Sequence, residues 1–307
     1  MNKKKKNSKI VEEKKIENEE IEETEEHSGH PILKTFIFLI IVLTFTFLYA
    51  RYIEPKLLIV KEYPINITKE NSSHLDGLKI AHFSDIHYGS TVTEKELTKM
   101  VEKVNKQNPD IIVFTGDLTD KKTVLTDDEI NKVIEILNKL NPKIETLAVI
   151  GNHDYENNYW EKIVPNLNWI TLDNTYEYVY RNNSTPIVFI GLDDLTKGNP
   201  DYKNAFSYLN ETEEELYTIV LMHEPDQIEK IDTYKYDLVL SGHSHLGQVR
   251  IPFLGAIWTP TGSKKYFDEQ YIINDASLYI NGGIGTSVLK LRFLNTPSIN
   301  LYRFYTE

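Results

Sequence analysis

Five short polar motifs carry most of the side chains in this sequence that could bind a metal ion or transfer a proton. They are Ser84-Asp85-Ile86-His87, Gly116-Asp117, Gly151-Asn152-His153-Asp154, Met222-His223-Glu224 and Gly242-His243-Ser244-His245. Imidazole, carboxylate and amide groups bind divalent metals, and the first two also serve in acid–base chemistry. Because the chain has no cysteine, any metal site must be built from such groups.

Each motif alone has an ordinary structural explanation. A Gly-Asp pair after an apolar run is usually a turn, and an isolated aspartate often caps the next segment. Five of the nine histidines nevertheless lie in these motifs, which packing alone does not explain. The other histidines keep a structural interpretation; they are His27, His30, His74 and His82.

The apolar runs that precede the motifs predict buried β-strands. These runs and two others cover residues 78–83, 111–114, 147–150, 187–190, 218–222, 238–240 and 278–280. Thr93 and Thr126 each begin a capping-box sequence followed by apolar residues at helical spacing, which predicts amphipathic helices. The alternation of such strands and helices is typical of an α/β body.

This arrangement predicts that the motifs meet. The carboxyl ends of strands in open α/β sheets are where ligands bind. If the backbone stays extended after the strand, Asp85 and His87 project to the same side, and His243 and His245 do likewise. Each pair can then enter one pocket.

The order D-x-H, GD, GNHD, H and GHSH resembles that of the calcineurin-like metallophosphoesterase superfamily. The resemblance covers about residues 78–301, and the runs 242–255 and 282–293 are similar to the membrane-associated bacterial branch of phosphodiesterase-like proteins. It implies a two-layer β-sandwich flanked by helices, here preceded by one transmembrane helix. GNHD in place of GNHE, and no arginine after the second motif, argue against a protein phosphatase.

The resemblance also implies two divalent metal ions, Mn, Fe or Zn, and a bridging hydroxide as the nucleophile. Carried over residue by residue, one ion has Asp85, His87 and His245 as ligands, the other has Asn152, His223 and His243, and Asp117 bridges both.

A further pair of residues has implied catalytic roles. His153 is expected to contact the phosphate and act as general acid, and Asp154 is expected to orient its ring. Lys264, Lys265 and Arg292 are interpreted as surface charges outside the site.

The N-terminal region predicts a membrane anchor. Residues 1–30 combine a lysine cluster with a glutamate-rich stretch and are expected to be a disordered charged tail. The apolar run that follows predicts a transmembrane signal anchor over residues 31–53. A buried core helix and a cleaved signal peptide are the alternatives; the sequence Leu48-Tyr49-Ala50 lacks the small residue expected three positions before a cleavage site.

The remaining chain is divided into a tether over 54–76 and a metallophosphoesterase domain over 77–307. The cluster Lys3 to Lys6 favours a cytoplasmic N-terminus, so the domain of this single-pass protein is expected outside the cytoplasm. The formal net charge of −12 argues against nucleic acid as a partner.

These observations predict a phosphodiesterase that hydrolyses phosphate esters at the membrane surface, with a lipid-linked ester as a candidate substrate. A phosphomonoesterase or pyrophosphatase acting on a lipid-linked substrate is the alternative within the enzyme class. A catalytically inactive scaffold of the same fold is the alternative outside it, and it is disfavoured because none of the seven ligand positions is substituted.

Overall fold

The computed structural model describes residues 30–69, 72–182 and 184–306, together with Val11 and Lys15. The chain forms two compact units, Met1–Tyr49 and Ala50–Glu307. Most of the predicted charged tail therefore lies outside the described residues.

The first unit contains helix α1 (Pro31–Leu48), whose 18 residues include none that is buried. Pro31 stands at the start of the helix, where its missing N–H costs nothing. In the part of the chain that the structure describes, this is the one helix long and apolar enough to cross a membrane. A π-helical turn (Tyr49–Ile53) and a 3₁₀ turn (Glu54–Lys56) follow it.

Two six-stranded sheets form the second unit. The first contains, in spatial order, β1 (Ile59–Asn66), β14 (Ser298–Tyr305), β2 (Lys79–Phe83), β3 (Ile111–Thr115), β4 (Glu145–Val149) and β5 (Ile170–Thr171). The second contains β12 (Gln270–Ile273), β13 (Ala276–Ile280), β9 (Leu238–Ser241), β8 (Thr218–Leu221), β7 (Ile187–Gly191) and β6 (Thr175–Val179). A small hairpin pairs β10 (Arg250–Ile251) with β11 (Gly255–Ala256).

The two sheets pack face to face, and helices cover the outer face of the first. Ile111 and Val113 of β3 point into the core between the sheets, where they meet residues such as Phe189 of β7. The alternate residues Ile112 and Phe114 point outward to the helices. Burying each such side chain contributes roughly 1.5–3 kcal/mol, and burial on both faces explains why these strands are continuous apolar runs. The predicted sandwich is confirmed.

The helices on the first sheet are α2 (Glu94–Asn105), α3 (Asp127–Leu137) and the short α4 (Tyr159–Ile163), whereas the short α5 (Tyr202–Ala205) packs on the second sheet. Both predicted capping boxes are present. In α3, the Thr126 hydroxyl accepts a hydrogen bond from the Glu129 N–H, while the Glu129 carboxylate accepts one from the Thr126 N–H at 2.8 Å. These bonds satisfy donors that a helix start otherwise leaves unpaired.

The predicted tether needs a correction. Residues 59–66 of the segment 54–76 form β1, which pairs in parallel with β14 along its whole length. Charged residues and Pro64 hide this strand in the sequence. The proline is tolerated because β1 lies at the edge of the sheet, where one side of the strand needs no ladder hydrogen bond.

Candidate metal centre

The predicted ligands all follow the carboxyl ends of strands. Asp85 and His87 come after β2, Asp117 after β3, Asn152 after β4, His223 after β8, and His243 and His245 after β9. β2, β3 and β4 are parallel neighbours in one sheet, and β8 and β9 are parallel neighbours in the other. The fold therefore brings these side chains to one edge of the sandwich.

The backbone at this edge is not extended, which corrects the expected geometry of the Asp85/His87 and His243/His245 pairs. These four residues have φ values of 49°, 45°, 64° and 47°, and Asp117 has a φ of 62°. Residues other than glycine rarely adopt this left-handed conformation, which costs about 1–3 kcal/mol each, and several such residues together often mark a functional site. The convergence of each pair therefore comes from a strained turn rather than from strand alternation.

Two glycines allow the loops that carry Asp117 and Asn152 to approach each other. A Cβ atom on Gly116 would lie 2.7 Å from the backbone N of Gly151 and 2.7 Å from Nδ1 of His223. Gly116 also has a φ of 85°, which disfavours a side chain. The glycine that precedes each polar residue is thus required by the packing of the site.

The first cluster contains Asp85, His87 and His245, whose ligand atoms lie within 4.8 Å of one another. Nε2 of His87 is 3.1 Å from Nε2 of His245, and Oδ1 of Asp85 is 3.4 Å from the latter atom. The other oxygen of Asp85 accepts hydrogen bonds from the Ser84 hydroxyl and the His243 N–H. Oδ1 itself is buried and has no hydrogen-bond partner among the described residues.

The second cluster contains Asp117, His223 and His243, with Asn152 beside it. Nδ1 of His223 donates to the Thr115 carbonyl at 2.7 Å, and Nε2 of His243 donates to the Thr261 carbonyl at 2.7 Å. The remaining ring nitrogens face each other at 3.1 Å. Because each carbonyl accepts the proton of one ring nitrogen, the inward nitrogens are the atoms that would bind a metal ion. Burial opposes a charge on His223, but Asp117 outweighs it and raises the pKa of that ring well above its usual range, so its inward nitrogen must lose a proton when an ion binds.

Asp117 lies between the two clusters. Its Oδ2 is 3.5 Å from Nε2 of His87 in the first cluster and 3.4 Å from Nε2 of His223 in the second. Its Oδ1 accepts a hydrogen bond from the His153 N–H at 2.8 Å, which fixes the carboxylate. One oxygen of this side chain therefore faces imidazoles of both clusters.

The electrostatics of these residues suit a divalent cation. Burial lowers the pKa of His87 and of His243 to about 3, and it lowers the pKa of His245 well below its usual range, so these rings are neutral at pH 7. Burial opposes the charge of Asp117, but nearby histidines outweigh it and hold the pKa of that carboxyl well below its usual range. Three neutral imidazoles, two buried carboxylates and an unpartnered carboxylate oxygen are together a donor set that fits such an ion.

Asp154 has a different role from the one expected, and this is a correction. Its two carboxylate oxygens accept hydrogen bonds from the N–H groups of Gly151, Asp117 and Leu118. They hold the two ligand loops together rather than the His153 ring. That ring instead accepts the Lys121 N–H at Nδ1 over 3.3 Å. In the neutral ring the proton is then on Nε2.

Arg292, interpreted from sequence as a surface charge, is fully buried. Its guanidinium donates to the carbonyls of Gly283, Gly285 and Asn295, and its Nη2 is 3.3 Å from Nδ1 of His245. Burial lowers the pKa of Arg292 to about 10, so it stays charged at neutral pH. The residue therefore lies directly behind the first cluster and places a positive charge beside His245.

Sequence reasoning also missed Asp120, whose carboxylate lies near His87 and His153. Its position three residues after Asp117 was the available signal, but one carboxylate in a turn is not specific. Lys264 and Lys265 are exposed, as expected for surface charges.

A cavity of about 660 Å³ opens onto the site. Its polar side includes Asp117, Asn152, His153, His243 and His245. Its other side is mainly apolar and includes Val249, Ile257, Trp258, Pro260, Val288, Leu289 and Leu291. A ligand bound here would contact metal-capable groups and an apolar wall together.

Comparison with known proteins agrees with this site. The family model described as calcineurin-like phosphoesterase matches residues 78–247, and the chain belongs to this metallophosphoesterase family. It is 36% identical over 257 residues to the metallophosphoesterase YkuE of Bacillus subtilis (strain 168), covering 83% of this chain and 88% of that protein.

More distant relatives share most of the chain. The UDP-2,3-diacylglucosamine pyrophosphatase LpxG of Chlamydia trachomatis is 28% identical, with 85% of this chain and 94% of that protein covered. A zebrafish (Danio rerio) transmembrane protein with metallophosphoesterase domain is 28% identical, with 80% and 56% covered. Among solved structures, TT1561 of Thermus thermophilus has a TM-score of 0.44 and 16% identity over 68% of this chain and 90% of that one.

Proposed function

We propose that this protein is a dinuclear metal-dependent phosphodiesterase acting at a membrane surface. The observation that supports it most is Asp117, whose Oδ2 faces His87 of one buried cluster and His223 of the other within 3.5 Å. A carboxylate in this position can bridge two cations. The unpartnered Oδ1 of Asp85 supplies a second buried negative group that needs a positive partner.

The residues that would hold the ions are those assigned by the family resemblance. They are Asp85, His87 and His245 for one, Asn152, His223 and His243 for the other, and Asp117 for both. Bound ions would neutralise the phosphate charge and lower the pKa of water. Mn, Fe and Zn all suit imidazole with oxygen ligands.

His153 is proposed as the proton donor to the leaving oxygen. The Lys121 N–H at Nδ1 places the proton of the neutral ring on Nε2, where it can donate a hydrogen bond to the phosphate; transfer of a proton to the leaving oxygen would require the doubly protonated ring, which gives up one proton and returns to the neutral form. His153 lines the cavity together with Asp117 and Asn152, so the donor and the metal ligands face the same space. Asp154 acts indirectly, because it fixes the backbone of the loops that present Asp117 and Asn152.

Helix α1 is proposed as the membrane anchor, with the catalytic domain outside the cytoplasm. Its length, its apolar composition and the name of the zebrafish relative support anchoring. The tether proposed over residues 54–76 is reduced to the residues before and after β1, because β1 itself belongs to the sheet.

Pyrophosphatase action on a lipid-linked substrate is the second candidate. The apolar wall of the cavity favours a substrate with an apolar group near its phosphate, and the relative LpxG is named as a pyrophosphatase acting on a diacylated sugar nucleotide. A phosphomonoesterase remains the third reading of the same site.

Turnover by the full chain in nanodiscs tests the proposal. Bis-p-nitrophenyl phosphate, p-nitrophenyl phosphate, a lipid phosphodiester and a lipid-linked nucleotide diphosphate would be offered with Mn²⁺, Zn²⁺ or Fe²⁺. We expect metal-dependent hydrolysis, fastest with a diester. A preference for the lipid-linked nucleotide diphosphate would support the pyrophosphatase instead. A folded protein that binds no metal would contradict both enzymes and support the catalytically inactive scaffold.

A further inference from the structure

Six exposed apolar residues form what is called here the apolar rim: Ile257, Trp258, Val288 and Leu289 line the cavity, and Phe253 and Leu254 lie in the hairpin between the lining residues Val249 and Ile257. Phe253 is 107% exposed and Val288 is 77% exposed. Large apolar side chains that cluster on a surface usually mark an interaction site. The rim therefore needs a partner that the described residues do not provide.

The backbone holds the rim outward. Phe253, between β10 and β11, has a φ of 69°, and Val288 has a φ of 58°. For bulky and β-branched residues this conformation is a costly outlier. Both strained residues are highly exposed, as expected if display of the side chains is useful.

Hydrogen bonds join the rim segments to each other. Gln248, just before β10, donates to the carbonyls of Ser287 and Leu289 and accepts the Ser287 N–H. The Arg250 N–H donates to the Phe293 carbonyl at 2.9 Å. The hairpin and the 287–293 segment therefore form one bonded surface.

This surface is also bonded to the residues that follow helix α1. The Arg292 N–H donates to the Ala50 carbonyl at 2.9 Å. The buried Glu54 carboxylate accepts the N–H groups of Leu294 and Asn295. Ala50 comes two residues after the end of α1 at Leu48, so insertion of α1 would bring the Ala50 carbonyl and the segment bonded to it close to the bilayer.

The charge of the rim suits a lipid surface. Residues 248–258 and 286–294 contain no acidic residue, although the whole chain carries a formal net charge of −12. Lys290 is exposed beside Leu289, and the Lys264 ammonium lies 5.5 Å from the Trp258 ring centroid. Basic groups next to apolar and aromatic side chains are typical of segments that rest in the headgroup region.

We propose that the apolar rim inserts into the bilayer interface and seats the mouth of the metal site directly on the lipid surface. The inference rests on the membrane anchoring proposed above and adds a second point of attachment. A lipid phosphate ester would then enter the cavity laterally, with its apolar part against the rim and its phosphate toward His153 and the metal ligands.

Single-cysteine probes on the full chain in nanodiscs test this, because the natural chain has no cysteine. Phe253→Cys and Val288→Cys test the rim. Val124→Cys is the matched control, since Val124 is an apolar residue that is 89% exposed outside the rim. Ile41→Cys reports on helix α1. Each variant carries a nitroxide, and its collisions with oxygen and with a water-soluble nickel chelate are measured.

Insertion predicts high oxygen and low nickel accessibility at positions 253 and 288, at a depth of roughly 5–10 Å as for other interfacial segments. Position 124 should stay open to nickel. The inference is overturned if the labels at positions 253 and 288 are as accessible to nickel as the label at position 124 while the label at position 41 lies in hydrocarbon, because the rim then does not enter the bilayer. Protection of 253 from both reagents would reveal a protein partner or a second copy, which also overturns it. Nickel access at 41 would instead contradict the proposed anchor.

Discussion

The two halves of the candidate metal centre are built from similar ligands but differ in what supports them. In the second half, His223 and His243 each donate one ring N–H to a backbone carbonyl at 2.7 Å. In the first half, Nδ1 of His87 has no hydrogen-bond partner among the described residues, and Nδ1 of His245 faces the Arg292 guanidinium. One half has its ring protons fixed by carbonyls, whereas the other lies next to a buried cation.

The halves also differ in one ligand, since Asp85 joins two histidines in the first and Asn152 joins two histidines in the second. A carbonyl partner sets the tautomer, orients the ring and raises its basicity, so the second half is prepared for a metal ion. A guanidinium behind His245 opposes a further positive charge. We therefore expect the second half to bind its ion more tightly than the first, with Asp117 as the ligand on which both depend.

The largest expected effect is that of Asp117→Ala. Removing the carboxylate that faces both clusters should abolish binding of both ions and reduce turnover to the background rate, because neither half keeps its shared ligand. Metal content by mass spectrometry and hydrolysis of a diester measure the two losses.

Asp110→Ala is the matched control for that substitution. Asp110 is a buried carboxylate at the opposite end of β3, where it accepts the Lys79 N–H and pairs with Lys143. This variant should lose stability but keep its metals. Retention of both ions by Asp117→Ala would contradict the bridging role.

A smaller effect is expected from His153→Ala. Losing a positioned proton donor costs roughly 10²- to 10⁴-fold in rate, while metal content should match that of the unaltered protein. The loss should be smaller for a p-nitrophenyl diester than for an alkyl diester, since the aryl leaving group needs no proton. Equal losses on both substrates would favour simple phosphate binding, and loss of metal would show that His153 is a ligand.

The ligands of the second half could be predicted from the sequence, whereas the residue packed behind the first half, Arg292, could not. Strands such as β3 and β8 are buried on both faces and appear as apolar runs, so the residues after them could be identified. β1 and β14 have mixed or charged sequences at or near a sheet edge and were missed. Arg292 is 47 residues from His245, and only the folded chain shows that it is buried there.

The apolar rim could not be predicted for a related reason. Apolar residues in a sequence indicate a core, and nothing local distinguishes Phe253, which is exposed, from Phe83, which is buried. The left-handed turns at Asp85 and His87 were also missed, because their conformation depends on the neighbouring loops.

The comparison of the two halves predicts two metal affinities. A carbonyl partner of a ligating histidine typically affects affinity by roughly 10- to 100-fold, and we expect a gap of about this size between the ions. Calorimetric titration of the metal-free protein should show two steps. His243→Ala should remove the tight step and His245→Ala the weak one; removal of the same step by both variants would break the assignment.

The smallest expected effect concerns the origin of that gap. Arg292→Met removes the charge behind His245, whereas Arg292→Lys keeps a charge and loses the planar set of donors. If the charge of Arg292 weakens binding of the first ion, Arg292→Met should narrow the gap between the two dissociation constants by less than about tenfold. Arg292→Lys should preserve the gap. Both variants leave carbonyls of Gly283 and Gly285 without their present donor, so both should unfold at a lower temperature. Because both variants lose stability in the same way, a difference between their metal titrations can be attributed to the charge. An equal gap between the dissociation constants in the two variants would mean that the guanidinium acts through its hydrogen bonds and not through its charge. The weaker binding of the first ion would then be attributed to His87, whose Nδ1 has no hydrogen-bond partner among the described residues.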